Sequence, residues 1–482
     1  VTEGALLRPG ETCWRIEPAT RVKVLVADQD YFAALSEALS AARRSILILG
    51  WAFDPRTRLA PDGGWQSPAS DEIGRTLIAL ADANPELDVR VLIWRSALPI
   101  SATQHFFPHR AKAWFRHSKV KFRLDAEVPF GACHHQKVVV IDDVLAFCGS
   151  GDLTGDRWDS QAHPDVDARR MTPDGVAHAP RHEVTAMVEG LAARALGDLA
   201  RSRWALATGE ILDPVGPCGS DPWPDGATPD LTGATVAIAR TLPDWRGQRG
   251  VREISALTTE AIAAAREFVY LENQYFTAPV IVEALAARLL EPDGPAVVLV
   301  SSLHSPSYFD RLTMDRARVL ALRQLGAADV FSRFHALAPL TARGAPITVH
   351  SKVMIVDDRF ARISSANLNN RSGGFDTECE VVLEAQIPEQ QEAIAALVDR
   401  LMGHWIGRPA EVIARARANR RRLASMLAPE GRLGRLVSLE PAPLGRLGNL
   451  IAVYHLGDPT EAADAWRPIG RRHRLYGRDS VP

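Results

Sequence analysis

The 482 residues are 46 % hydrophobic and 24 % charged, with a formal net charge of −2. That is an ordinary globular composition, with room for two to four domains and a sizeable core. A total this close to neutral carries no electrostatic signature of a nucleic-acid binder, and no apolar run reaches the ~18 residues a membrane-spanning helix needs.

In chain order, the opening VTEGALLRPGETCW lacks the charged-then-apolar plan of a secretory leader. The expected setting is therefore cytoplasmic or peripheral to a membrane. AARRSILILGWAF (41–53) reads as the end of an Ala-rich helix running into an apolar strand. LDVRVLIW (87–94) and VKFRL (120–124) are further strands, and HFFPHRAKAWFRH (105–117) an aromatic-basic helix. CHHQKVVVIDD (133–143) sets an imidazole and an ammonium at the head of an apolar run that ends in Asp142. The first half closes on Glu183-Val-Thr-Ala-Met-Val-Glu189. A segment rich in Pro, Gly and Asp (208–232) is expected to link the halves.

The same blocks then return in the same order. AAREFVYLENQYF (264–276) aligns without a gap on the first block, and AVVLVSS (296–302) and ADVFSRF (328–334) follow as strand candidates. VHSKVMIVDD (349–358) matches the histidine block, and Glu378-Cys-Glu-Val-Val-Leu-Glu384 matches the glutamate block. Repetition in this order is duplication rather than chance. The expected domains are residues 1–207, the linker 208–232, residues 233–408, and a basic helical extension over 409–482 whose residues 409–425 form one amphipathic helix. Continuous Val/Ile/Leu runs predict strands buried on both faces. The fold class is α/β: two duplicated α/β sandwich halves, each a mixed, mostly parallel sheet flanked by helices, related by a pseudo-two-fold axis with the active site between them.

The chemistry-bearing residues sit in the repeated blocks. Residues two apart on a strand face the same way, so His135 and Lys137 project together, as do His350 and Lys352. An imidazole can be a nucleophile or an acid/base near neutral pH, and a lysine supplies positive charge for a phosphoryl oxygen. Each pair is followed at equal spacing by a small-residue turn ending in Asp152 or Asn367. Cys13, Cys133, Cys148, Cys218 and Cys379 are odd in number and include no CxxC pair, which argues against a zinc site and for reduced thiols. His134, facing away from His135, reads as a satisfied core or loop residue, and the 105–117 histidines as part of a packing helix. Trp51 and Tyr275 are read as repeat-matched positions at strand ends, where pocket lining and core packing are equally open.

Both histidine blocks resemble the HxKxxxxD motif of the phospholipase D superfamily, and the GWAF and ENQYF segments are similar to stretches of two-motif phospholipases D and cardiolipin synthases. The likeness covers roughly residues 20–400. It implies ping-pong phosphoryl transfer with no metal or other cofactor: His135 as nucleophile, His350 as general acid/base, and Lys137, Lys352 and Asn367 on the non-bridging oxygens. Asp152 and the lining residues Trp51 and Tyr275 join the substrate site. Glu183 and Glu378 are implied as carboxylates that orient imidazoles, and Asp142 and Asp357 as braces of the fold. The expected partners are a phospholipid surface, with water or an alcohol as acceptor, and no nucleic acid; the expected state is a monomer. The substrate readings are a glycerophospholipid-cleaving phospholipase D, then a cardiolipin-synthase-like transferase, a nuclease-type phosphodiesterase, and last a non-catalytic lipid-binding protein.

Overall fold

The computed structural model describes residues 5–61, 71–96, 107–219, 221–428 and 435–463. The first half contributes strands β1 (Arg15–Val26), β2 (Ser45–Gly50), β3 (Asp88–Trp94), β4 (Lys121–Asp125), β5 (Val138–Ile141), β6 (Leu145–Gly149), β7 (Arg181–His182) and β8 (Val184–Gly190). The second contributes β9 (Leu231–Leu242), β10 (Val251–Arg252), β11 (Phe268–Glu272), β12 (Ala296–Val300), β13 (Phe334–Pro339), β14 (Thr348–Val349), β15 (Val353–Val356), β16 (Phe360–Ser364) and β17 (Glu378–Glu384), with β18 (Leu436–Ser438) beyond.

The two halves share one sheet. Its order runs β4-β3-β2-β5-β6-β8-β1 and then, through the antiparallel β1–β9 pair, β9-β17-β16-β15-β11-β12-β13-β18. The second half thus retraces the first in mirror order. Both α/β layers and the duplication are present, but the sheet is mainly antiparallel rather than mostly parallel. Parallel pairs are confined to β2–β3–β4 and β11–β12–β13 in the main sheet. There a helix such as Pro279–Leu290 or Tyr308–Ala328 provides the crossover that a parallel pair needs. Between the paired strands of each histidine block the connection is too short for that. The histidine-block strands turn straight back as hairpins through Asp142-Asp143 and Asp357-Asp358, all four at positive φ (52° to 56°), the conformation of a tight two-residue turn.

The apolar runs are continuous because helices cover both faces. Every residue of β2, β5, β15 and β17 is buried. On one face the helices Leu191–Thr208 and Pro388–Ile406 bury Trp204 and Trp405 in a core that both halves share. On the other, each half has its own core. Cys13, Cys133, Cys148 and Cys379 are buried, and all five cysteines are free thiols.

Two local expectations change. ADVFSRF is a helix end and turn, with the strand beginning only at Phe334: the Asp329 carboxylate accepts the Arg333 and Phe334 N–H groups at 2.7 and 2.9 Å, and Ser332 has φ 55°. The single helix expected over 409–425 is two, Ala410–Arg417 and Arg420–Leu427, because the Asn419 side chain caps the second by accepting the Arg422 N–H. Both pack into the fold through Ile413, Ala416, Leu423 and Leu427. Among the described residues no helix is long and apolar enough to cross a membrane. His105 and residues 464–482 lie outside the described residues.

The hairpin aspartates brace each half. Asp142 accepts the N–H groups of Arg43, Arg44 and Ser45 at 2.7–2.8 Å. Asp357 does the same for Arg266, Glu267 and Phe268 at 2.6–2.8 Å. Each carboxylate therefore ties its hairpin to the start of the neighbouring strand. Asp142→Ala leaves three amides without their acceptor and is expected to cost about 3 kcal/mol. Asp142→Asn, which keeps an acceptor and tolerates positive φ, should cost less. Urea denaturation, read as a shift of midpoint at constant slope, checks the order.

Candidate active site

The two histidine blocks open on one cleft of about 680 Å³, whose lining includes His135, His350, Asn367, Glu378, Trp51 and Tyr275. What joins them is a crossed pairing of backbone. β7 pairs in parallel with β14, so the His350 N–H donates to the His182 carbonyl at 2.8 Å and Glu183 comes beside the second block. In the mirror position His134 bridges Thr377: the His135 N–H donates to the Thr377 carbonyl at 3.0 Å and brings Glu378 beside the first block.

Each imidazole is consequently held by a carboxylate from the other half. His135 Nδ1 lies 3.0 and 2.9 Å from the two oxygens of Glu378, and His350 Nδ1 lies 2.8 Å from Glu183 Oε2. An Nδ1–H donated to a carboxylate leaves Nε2 with its lone pair, ready to attack or to take a proton.

The carboxylates are matched in place but not in surroundings. Glu378 also accepts hydroxyls from Ser365 at 2.5 Å and Ser372 at 2.7 Å; burial lifts its pKa to about 8, against the pull of Lys137. Around Glu183 stand Arg181 at 3.5 Å and Arg157 at 4.0 Å. Burial alone would raise Glu183, but His350, Arg181 and Lys352 together hold it well below the usual carboxylate range. Both imidazoles are pushed well below their ordinary value, first by burial. For His135 the Lys137 and Lys352 charges add to that, against Asp152; for His350 Glu183 opposes it, while Lys352 and Arg181 add to it.

The lysines stand behind the cleft wall. Lys137, 4 % exposed, donates to the His135 carbonyl at 3.1 Å and lies 3.4 Å from Asp152 Oδ2. Lys352, fully buried, donates to the His350 carbonyl. Asp152 is turned inward: Oδ1 accepts the Trp51 and Ala52 N–H groups at 3.0 and 3.2 Å, while Oδ2 faces Lys137. The carboxylate that would repel a phosphodiester is thereby engaged. Asn367, by contrast, donates its backbone N–H to Ser372 at 3.0 Å, and its buried Oδ1 has no hydrogen-bond partner among the described residues. The residue lines the cleft.

Trp51 stacks on Trp94 at 5.8 Å and meets His135 edge-on at 6.4 Å. Tyr275 donates its hydroxyl to Asp310 at 2.8 Å. The gapless alignment matches Trp51 with Gln274 rather than Tyr275, and Gln274 lines the cleft too. His134 is a core residue, 3.2 Å from the Thr377 hydroxyl, with its pKa lowered to about 3 by burial. Sequence reading missed Arg157 and Arg181, which put guanidinium groups on the cleft wall. Arg181 stands two residues before Glu183 on one extended stretch, a same-face signal that was available.

The chain is similar to several known proteins. A family model described as "Cardiolipin synthase, PLD-like domain" matches residues 258–404. Phospholipase D A of Dictyostelium discoideum is 24 % identical over 76 % of this chain and 33 % of its own length. Phospholipase D alpha 2 of Oryza sativa subsp. japonica is 24 % identical over 71 % of this chain and 58 % of its own length. The chain thus spans between a third and three-fifths of those two relatives. The crystal structure of phosphatidylserine synthase from Haemophilus influenzae Rd KW20 shares the fold, with a TM-score of 0.54 at 13 % identity, covering 80 % of this chain and 87 % of that one. The fold, the doubled histidine block and these matches together make the chain similar to proteins of the phospholipase D superfamily.

Lys352 sets a pH limit. Burial, reinforced by Lys137 and only partly offset by Glu183, brings its pKa down to about 7. The ammonium is present below that pH and lost above it. For cleavage of a soluble phosphodiester, kcat/KM is expected to fall as pH rises through about 7. In Lys352→Arg, whose guanidinium does not titrate in this range, that fall should vanish or move upward. Thermal unfolding of the variant serves as the folding control.

Proposed function

We propose that the chain is a phospholipase D-type phosphodiesterase and phosphatidyl transferase acting on the distal phosphodiester of glycerophospholipids. The observation that carries this reading is the crossed pair His135–Glu378 and His350–Glu183 on a single cleft.

In the first step His135 Nε2 attacks phosphorus. The bond from phosphorus to the head-group oxygen breaks, and His350 gives its proton to the departing alkoxide. In the second step His350 takes a proton from water or an alcohol. The oxygen attacks phosphorus, the P–N bond breaks, and His135 is regenerated. The difference between the carboxylates fits this division. A well-ionised Glu183 beside His350 favours an imidazole that stores and returns a proton. His135, with Lys137 and Lys352 acting against protonation, stays neutral and nucleophilic. Arg157, Arg181 and the Asn367 amide supply positive potential and hydrogen bonding for the non-bridging oxygens, with the lysines adding charge from behind.

The rim supports a lipid surface over a nucleic acid. Phe130, Tyr308 and Phe309 are 77 %, 81 % and 59 % exposed, and Gly131 and Phe309 line the cleft. Large apolar side chains this exposed, next to the site opening, suit insertion among lipid chains.

Vesicles of phosphatidylcholine, phosphatidylethanolamine or phosphatidylglycerol, offered with ethanol, test the reading. Release of head group together with formation of phosphatidylethanol is expected, and His135→Ala and His350→Ala should each lower both by about 10³-fold. Turnover of none of these lipids, alongside cleavage of single-stranded DNA, would overturn the lipid assignment. Formation of diphosphatidylglycerol in preference to phosphatidylethanol would favour the cardiolipin-synthase-like transferase instead.

The rim gives a separate expectation. Replacing Phe130 and Phe309 together by Ser should lower the rate on vesicles several-fold and leave the rate on a short-chain, monomeric phospholipid unchanged. Equal losses on both substrates would remove the aromatics from interfacial binding.

A further inference from the structure

Beneath Glu183 the chain buries a second polar cluster that phosphoryl transfer does not use. His163 comes from the insertion between β6 and β7, His182 from β7, and His404 from the last turn of the helix Pro388–Ile406 in the second half. One nitrogen of each ring lies within 4.8 Å of one nitrogen of each of the others. The ring centroids are 5.3–5.7 Å apart, and Trp405 packs on all three.

Two of the rings already have the far nitrogen fixed by a buried carboxylate. His163 Nδ1 is 2.8 Å from Asp159 Oδ2, and His182 Nε2 is 3.0 Å from Glu272 Oε2. The carboxylates are themselves anchored: Asp159 by the Arg181 N–H at 2.9 Å, Glu272 by the Tyr270 hydroxyl at 2.6 Å and the Trp405 indole N–H at 2.9 Å. The nitrogens left over are His163 Nε2, His182 Nδ1 and His404 Nε2. All three are buried without a hydrogen-bond partner among the described residues.

Buried polar atoms are rarely left unpaired, and three unpaired imidazole nitrogens within one cluster of rings is an unusual concentration of them. A carboxylate behind a ligating histidine is the arrangement that orients imidazole toward a metal and raises its basicity. Arg170, 3.4 Å from Asp159, and Arg435 are the cations near the cluster, set against the two carboxylates.

We propose that His163, His182 and His404 form a tris-imidazole site for one divalent late transition-metal ion, zinc above all, clamping the two halves behind the reaction site. Imidazole is the ligand type these metals share. Zn–N bonds of about 2.0–2.1 Å place neighbouring ligand nitrogens roughly 3.3 Å apart, so the rings draw closer on loading. His404, the one ring with partial exposure, has the most room to turn. The ion takes no part in bond breaking. Its consequence is positional: the His182 carbonyl accepts the His350 and Ser351 N–H groups at 2.8 and 3.1 Å, and Glu183 is the next residue.

The full chain, stripped with chelator and titrated with cobalt(II), provides the test. The expected result is a visible d–d spectrum of a low-coordinate site that saturates at one ion per chain and is displaced by zinc. Metal analysis of protein produced with zinc in the medium should give one zinc per chain, lost in His163→Gln and in His404→Gln. Absence of both the spectrum and bound zinc in the unaltered chain overturns the proposal. So does one equivalent of metal that persists in both variants. The unaltered chain decides the question even if a variant fails to fold, and no step of the test depends on which phosphodiester is cleaved.

Discussion

His135 and His350 each depend on a carboxylate from the opposite half: Glu378 closes on the first imidazole and Glu183 on the second. Neither half alone can orient its own histidine. The continuous sheet follows from that requirement. With β1 and β9 paired antiparallel at the centre, the N-terminal ends of β8 and β17 and the histidine blocks of the opposite halves come to one end of the central strands. The parallel β7–β14 pair and the His134–Thr377 bridge then fix the approach through backbone hydrogen bonds. A crossed pair held by backbone leaves little freedom for the carboxylates to drift, which is what preorganised acid/base chemistry requires.

Burial raises the electrostatic stakes. Two ammonium groups, two carboxylates and two imidazoles sit where water is largely excluded, so each charge is worth far more than at the surface and costs far more if unmatched. Lys137 has Asp152 within 3.4 Å, and Asp152 has two backbone amides. Lys352 donates to the His350 carbonyl, and it is the lysine whose ammonium is weakened. The aspartate in the first half and the asparagine in the second therefore play unequal parts. Asp152 neutralises its lysine, whereas Asn367 carries no charge and leaves its buried Oδ1 without a hydrogen-bond partner among the described residues. A repeat that began symmetrical now has one braced side and one open side.

The reach of the sequence ended where side-chain direction gave way to through-space pairing. Continuous apolar runs reported strands covered on both faces, and the two-residue spacing of His135–Lys137 and His350–Lys352 reported side chains sharing a direction. Order of blocks reported duplication. None of these signals carries strand order, so a joined, mainly antiparallel sheet could not be read from them. Nor could the crossing of Glu183 and Glu378, since a repeat matches each glutamate to its own half. The hairpins were legible in principle: Asp-Asp after each histidine strand is tight-turn chemistry, and short turns force antiparallel neighbours. His163, His182 and His404 share no spacing pattern at all, because a loop, a strand edge and a helix end assemble them.

On the reading proposed above, duplication with divergence lets one cleft hold an acid and a nucleophile built from the same residue. Two imidazoles in identical surroundings would titrate alike, and neither would hold a proton while the other lacked it. Here the surroundings differ: arginines flank Glu183, serines flank Glu378. A guanidinium stabilises a carboxylate charge outright, whereas a hydroxyl only solvates it. Glu183 is therefore the firmer anion, and of two imidazoles that burial pushes down, His350 is the one whose proton it favours. Arg157 and Arg181 stand at the two ends of the 154–181 insertion, for which the second half has no counterpart. On that reading the insertion separates the roles of the two histidines while leaving both motifs intact.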